Sequence, residues 1–181
     1  GLVVMGRSGK RPVLEKLQIT EIAAEGKAIA RMEGMVIFVS GCVPGDIVDV
    51  QVVRKRKRYM EGFPVKYHAY SPIRTEPFCN HFGVCGGCKW QHIPYAEQLN
   101  SKQKWVADSL ERIGKVEGGR ISPIIGAEMV TGYRNKLEFT FSNSRWLTTE
   151  EINSGESWPE RRALGFHLPG KFDKVLDIDK C

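Results

Sequence analysis

The chain of 181 residues lacks any apolar run near the roughly 18–20 residues that cross a bilayer as a helix, so no membrane partner is expected. Its opening GLVVMG is too short for a signal peptide. Nothing therefore points to export, and a cytoplasmic protein is expected. Internal repeats and low-complexity tracts are absent. So is a glycine-rich phosphate or cofactor loop, because Gly118-Gly119 has no strand before it and no helix after it. Five cysteines in a chain with no export signal favour metal or catalytic roles over a disulfide framework.

A hydrophobic content of 41% is enough for a sizeable core in one or two domains. The net charge of +6 permits an acidic partner such as RNA without demanding one. Residues 1–12 read as a tail, native or added. Short strand-like runs follow at 14–21, 27–32, 36–39, 47–53 and 60–67, punctuated by Glu25-Gly26, Glu33-Gly34 and Pro44-Gly45-Asp46. Five short strands without helical period predict a small OB-like β-barrel over residues 13–71.

The pattern changes at Ser71-Pro72. Residues 94–113 carry Tyr95, Leu99, Val106, Leu110 and Ile113 as a helical stripe, with Pro94 suited to the first turn and Gly114 to the C-terminal cap. Residues 134–142 alternate, Leu137, Phe139 and Phe141 against Arg134, Lys136, Glu138 and Thr140, which predicts a half-buried strand. Residues 163–167 and 174–178, joined through Pro169-Gly170, predict a second pair, with 143–162 as a surface excursion. Residues 72–181 thus read as an α+β domain, one long helix packed on an antiparallel sheet.

Three cysteines, Cys79, Cys85 and Cys88, sit within PFCNHFGVCGGCKWQH, and Cys181 stands far away. Gly83, Gly86 and Gly87 let the backbone wrap tightly round a bulky object. Zinc sites more often pair two C-x2–4-C knuckles, whereas a three-plus-one arrangement is frequent for cubane iron–sulfur clusters. Spacing alone leaves iron–sulfur, zinc and plain buried thiols open. His81 and His92 flank the loop as possible zinc ligands or as ordinary packing residues. Cys42, before Pro44-Gly45, reads as a small buried or loop residue.

Longer stretches carry a resemblance. GKAIARMEGMVIFVSGCVPGDIVDVQV with the basic run and SPIRTEPFC after it, CNHFGVCGGCKWQHIPYAEQLNSKQ, GYRNKLEFTFS, and LGFHLPGKFDKVLDIDKC together resemble the N-terminal part of bacterial RNA (uracil-C5)-methyltransferases of the 23S rRNA type. The resemblance implies a TRAM domain, then an iron–sulfur central domain in which Cys79, Cys85, Cys88 and Cys181 hold a [4Fe-4S] cluster. It implies 23S rRNA as partner, no obligate protein partner, and formation of 5-methyluridine. It also implies that the S-adenosylmethionine-binding domain, with its nucleophilic cysteine and general-base glutamate, is not in this chain. The residues given would then be a fragment without methyl transfer of its own. In such enzymes a cysteine adds to carbon 6 of uracil, carbon 5 attacks the methyl donor, and a base removes the carbon-5 proton. The target base has to be flipped out of folded RNA, so other modules must grip the RNA.

Arg54, Lys55, Arg56, Lys57 and Arg58 are the leading candidates for that grip, with Tyr59, Phe63 and Tyr67 close behind. Cations contact phosphates and rings stack on splayed bases. A solvated charge run with core aromatics is the plain alternative. Lys89 and Trp90, and Arg134 and Lys136 on the polar face of the alternating strand, are further candidates. The cluster itself reads as a structural clamp, since this methylation needs no electron transfer and the radical-enzyme spacing C-x3-C-x2-C is absent. A stand-alone RNA-binding iron–sulfur or zinc module, and a tRNA-directed methyltransferase, are the alternatives.

Overall fold

The structure, a computed structural model, describes residues 11–116 and 121–181. The expected tail at 1–12 lies almost wholly outside the described residues, as does Gly118-Gly119. The chain divides into two compact units, the first of residues 1–76 and 92–128, the second of residues 77–91 and 129–181. Among the described residues no helix is long and apolar enough to cross a membrane.

Alternation of apolar and polar residues builds the first unit. Strands β1 (Val13–Ile22), β2 (Lys27–Met32), β3 (Met35–Ser40), β4 (Ile47–Lys55) and β5 (Tyr59–Ala69) close into a barrel of order β1-β2-β3-β5-β4. β4 shows the rule at its clearest, burying Val48, Val50 and Val52 at 1% exposure or less while their neighbours face outward. Ile19, Ala30, Ile37 and Val39 complete the dry centre. All pairs are antiparallel except β3 with β5, which run parallel. Gly62 is required where β4 and β5 approach. A Cβ there would lie 2.5 Å from both the Gln51 carbonyl oxygen and Val50 Cγ1. The five expected strands and the closed barrel are all present, each strand within two residues of its expected ends.

The long helix is present as α1 (Tyr95–Asp108), continued by one π-helical turn over 109–113 and capped at Gly114. It belongs to the compact unit of the barrel, not to that of the sheet, so compactness does not follow the division at Ser71-Pro72. Trp105 Nε1 donates to the carbonyl of Ile22 on β1 at 2.9 Å, and Lys104 lies 3.7 Å from Glu21. The expected apolar stripe is not a core face. No residue of α1 or of the π-helical turn is buried, and Val106, Leu110 and Ile113 are 50%, 41% and 81% exposed.

The second unit holds a four-stranded sheet of order β6-β8-β9-β7, from β6 (Thr140–Ser142), β7 (Arg145–Trp146), β8 (Ala163–Leu168) and β9 (Lys171–Asp177). β8 and β9 form the expected hairpin, turning at Gly170 with φ +71°. Three expectations need correction. The sheet is mixed rather than antiparallel, because β7 runs parallel to β9. The stretch 143–162 contains β7 and a short helix α2 (Thr149–Asn153), whose start Thr148 and Glu151 close with a reciprocal capping box. Of the expected strand at 134–142 only the last three residues pair, and Phe141 is 83% exposed. Alternation fixes which side chains share a face; it does not supply a hydrogen-bonding neighbour.

Candidate functional site

In the first unit, β4 and β5 meet at a turn closed by the Arg56 N–H donating to the Tyr59 carbonyl at 2.8 Å. Arg54, Lys55, Arg56, Lys57 and Arg58 are all exposed there. Among the described residues Arg54 is the one of the five that is ion-paired, 3.8 Å from Glu61. Four cations therefore crowd one hairpin tip with no carboxylate to neutralise them, a local field that attracts polyanions. Tyr59 is half-buried and packs edge-to-face on Phe38, ring centres 5.7 Å apart, so it braces the tip. Phe63, 46% exposed, lies beyond it on β5.

Behind the barrel's far end lies a charged cluster that sequence reasoning missed. Asp46 is fully buried. Its Oδ1 accepts from Arg74 Nε at 2.9 Å and the Ser71 N–H at 2.8 Å, and its Oδ2 from Arg74 Nη2 at 2.6 Å and the Val43 N–H at 2.7 Å. Burial is the largest single influence on this carboxyl and works upward. The hydrogen bonds from Arg74, Val43 and Ser71 together outweigh it, so the pKa falls below its ordinary value. The guanidinium also faces the stacked rings of Tyr67 and Tyr70 at 5.4 and 5.3 Å. Tyr67 is thereby committed to the cluster. Burial pushes the Cys42 thiol up to about 11, its Sγ lying 3.7 Å from the Tyr67 hydroxyl, so it remains a protonated packing residue. His92 is buried in this unit too, and burial holds its pKa down, with the Arg74 charge acting in the same sense. The arrangement ties residues 43–46 to 71–74. The only cue in the sequence was Pro44-Gly45-Asp46, a turn with an acid at its end.

In the second unit the cysteine loop is wound tightly. The Phe82 N–H donates to the Cys79 carbonyl at 3.0 Å, and the Cys85 and Val84 N–H groups donate to the His81 carbonyl at 2.9 and 3.3 Å. Gln91 Oε1 accepts from the Cys79 N–H at 3.1 Å. The Gly86 N–H donates to the His167 carbonyl on β8 at 3.2 Å, and a Cβ at Gly86 would lie 2.6 Å from that oxygen. Glycine is therefore needed at the first position of the Gly86-Gly87 pair for close approach to the sheet.

Cys79, Cys85, Cys88 and Cys181 are all free thiols. Burial pushes the Cys85 thiol up and the Gly87 N–H, 3.3 Å from its Sγ, opposes this, while Cys88, Cys79 and Cys181 each push it further up. Cys181 thus lies in the electrostatic neighbourhood of the loop although 93 residues separate it from Cys88 in sequence. Among the described residues no group of three or more His, Cys, Asp or Glu is drawn in to metal-holding distance. What fits a soft metal group is the donor chemistry: three free thiols on one loop whose Gly86 hugs the sheet, with the free thiol of Cys181 in the same compact unit.

The other expected contacts are dispersed. Lys89 is exposed and Trp90 half-buried. Arg134 and Lys136 are exposed, with Lys136 paired to Glu138 at 2.9 Å on a stretch outside the ladder.

Residues 16–65 match the TRAM domain family. Over 160 residues the chain is 58% identical to an uncharacterized RNA methyltransferase of Bacteroides thetaiotaomicron, covering 88% of this chain and 35% of that protein. It is 40% identical over 133 residues to the 23S rRNA (uracil(1939)-C(5))-methyltransferase RlmD of Xylella fastidiosa, covering 72% of this chain and 29% of that one. Among solved structures it resembles the Pyrococcus abyssi tRNA (uracil-54, C5)-methyltransferase in complex with S-adenosyl-L-homocysteine. The TM-score is 0.50 at 25% identity, over 92% of this chain and 32% of that one. The chain spans about a third of the length of the relatives it matches.

Proposed function

We propose that the chain is the RNA-binding N-terminal part of a cytoplasmic, S-adenosylmethionine-dependent methyltransferase that forms 5-methyluridine in 23S rRNA. The observation that carries this reading is the bare cationic tip Lys55–Arg58 on a TRAM barrel, in a chain similar over most of its length to RNA methyltransferases. A hairpin tip with four unneutralised cations holds phosphates, and Phe63 beyond it offers a face for a splayed base. The methyl-donor pocket and the catalytic cysteine and glutamate belong, on this reading, to the part of the protein outside these residues, and residues 1–181 alone transfer no methyl group. The structural likeness to a tRNA methyltransferase favours tRNA as the second substrate reading.

Cys79, Cys85, Cys88 and Cys181 would hold the [4Fe-4S] cluster. When bound, it would supply a fourfold thiolate cross-link between the loop and the segment ending at Cys181. The chain's own residues do the remaining work. Gly86 seats the loop on β8, Gln91 fixes the backbone at Cys79, and the Asp46–Arg74 pair braces the barrel that presents the cations.

The test is salt-dependent binding of the full-length protein to a 23S rRNA fragment and to tRNA, with Arg54, Lys55, Arg56, Lys57 and Arg58 all replaced by glutamine. Each lost phosphate contact to single-stranded RNA removes about 0.7 from the slope of log K against log salt, so a loss of roughly 2–3 is expected. Unchanged affinity and slope would remove the tip from the RNA interface. Preference for tRNA over rRNA in the unaltered protein would move the reading to the second substrate.

A further inference from the structure

His81 occupies a position that its place between two cysteines in the sequence does not explain. Its carbonyl accepts from the Cys85 N–H at 2.9 Å, and so sets the turn that carries one thiol. It follows Cys79 by two residues, inside the turn that the Phe82 N–H closes on the Cys79 carbonyl. Its ring Nε2 meets Oδ1 of Asp179, two residues before Cys181 and 98 residues away in sequence. The ring is mostly sheltered, its side chain 20% exposed, while Asp179 is 78% exposed. One residue thus touches the backbone of the loop on one side and the segment of the distant cysteine on the other.

We propose that the His81–Asp179 contact is a latch that docks the segment 178–181 on the cysteine loop and so delivers Cys181 to the other three thiols before any metal arrives. His81 and Asp179 are positioning residues and not ligands. The proposal rests on the reading of the four cysteines as one site, which it deepens by supplying the means of assembly. Three loop thiols are near one another through short chain segments, but the fourth stands 93 residues beyond Cys88 in the sequence. Docking the segment that carries it beside the loop raises the effective concentration of that thiol at the other three. The Ile178 N–H donating to the Leu164 carbonyl at 3.1 Å places the segment beside β8, and His81 holds the next residue, Asp179, two residues short of Cys181.

The experiment measures that effective concentration directly in full-length protein freed of metal by a chelator under denaturing conditions and refolded anaerobically. Equilibration with mixed reduced and oxidised glutathione forms a disulfide between Cys181 and a loop thiol. Two protein thiols lose their protons and two electrons, and one glutathione disulfide becomes two glutathiones. Peptide mapping by mass spectrometry quantifies the Cys181 link to Cys79, Cys85 or Cys88 against the glutathione ratio. The unaltered protein is expected to form it, and His81→Ala and Asp179→Ala to lower the effective concentration roughly fivefold to tenfold, the worth of one exposed charge-assisted hydrogen bond. Asp179→Asn, which keeps an acceptor but not the charge, recovers about half of it in free-energy terms, and Lys180→Ala changes nothing. Equal values in the unaltered protein and both alanine variants, or no Cys181 link at all, would overturn the latch. Iron and sulfide uptake, measured in parallel, reports on the cluster reading separately. A latch without iron uptake leaves the proposal standing and removes the cluster, whereas iron uptake indifferent to both alanine substitutions, with the link unchanged, does the reverse.

Discussion

The two units of this chain solve the problem of cohesion differently. The barrel closes on itself, leaves no strand without two neighbours, and buries seven isoleucine and valine side chains at 1% exposure or less, from Ile19 on β1 to Val52 on β4. The sheet of the second unit has two edge strands of three and two residues, and its buried apolar side chains among the described residues are Ala163, Val175 and Leu176. Phe139, Phe141 and Phe172 are 43%, 83% and 87% exposed. The barrel is therefore held by packing, whereas the second unit depends on polar ties such as Gly86 to His167 and His81 to Asp179. Packing tolerates no missing methyl group; tie points tolerate surface change but not the loss of a partner.

The sharpest way to break this contrast is to cut into the barrel. Ile37→Ala removes a fully buried side chain at its centre and should cost about 4 kcal/mol, read from urea unfolding of full-length protein with Trp105 as the barrel unit's reporter. A loss below about 1 kcal/mol would mean that the barrel is not close-packed. Asp46→Asn should cost about 3 kcal/mol, because it leaves the Arg74 guanidinium, 23% exposed, without its charge partner. The Asp46 carboxyl has its pKa lowered from 3.8 in the folded state, so its contribution is complete above about 4 and is lost as pH falls through the lower folded value. The gap between the unaltered protein and Asp46→Asn should accordingly hold steady from pH 7 to about pH 4 and narrow only in stronger acid. A gap that closes nearer neutrality would assign the effect to another group. The smallest effect belongs to the sheet: Phe141→Ser, at an 83% exposed ring, should move stability by less than about 0.5 kcal/mol. A larger loss in the full-length protein would show that Phe141 is covered there, and would narrow the contrast between the units.

The barrel was legible because every signal agreed. Alternation, β-branched residues and turn glycines all mark the same boundaries, and a five-strand run with an outward polar face has few ways to close. The helix at Tyr95 was legible in extent but not in orientation. Its spacing promised a core face at Val106, Leu110 and Ile113, yet what anchors it is Trp105, a residue off that stripe whose indole reaches a strand carbonyl. The pairing of β7 with β9 had no sequence signal, since two residues cannot show a period. At the candidate sites, the cationic tip and the cysteine spacing were visible as local patterns. The Asp46–Arg74 and His81–Asp179 contacts were not, because each joins residues remote in sequence through side chains that are unremarkable alone.

The bidentate partner of Asp46 also has a consequence for the order of events during synthesis. The carboxylate is enclosed by strands complete at Ala69, yet of its donors only the Val43 N–H precedes that point, and the Ser71 N–H and the Arg74 guanidinium come after it. A nascent barrel released only to residue 69 would have to enclose an anion with one N–H donor and no countercharge, so closure must wait for those few further residues to leave the ribosome. At the usual pace of translation the barrel can then be complete roughly 5–20 s before Cys181 in its turn leaves the ribosome. The cationic tip would be in place while the segment that carries Cys181 is still to come.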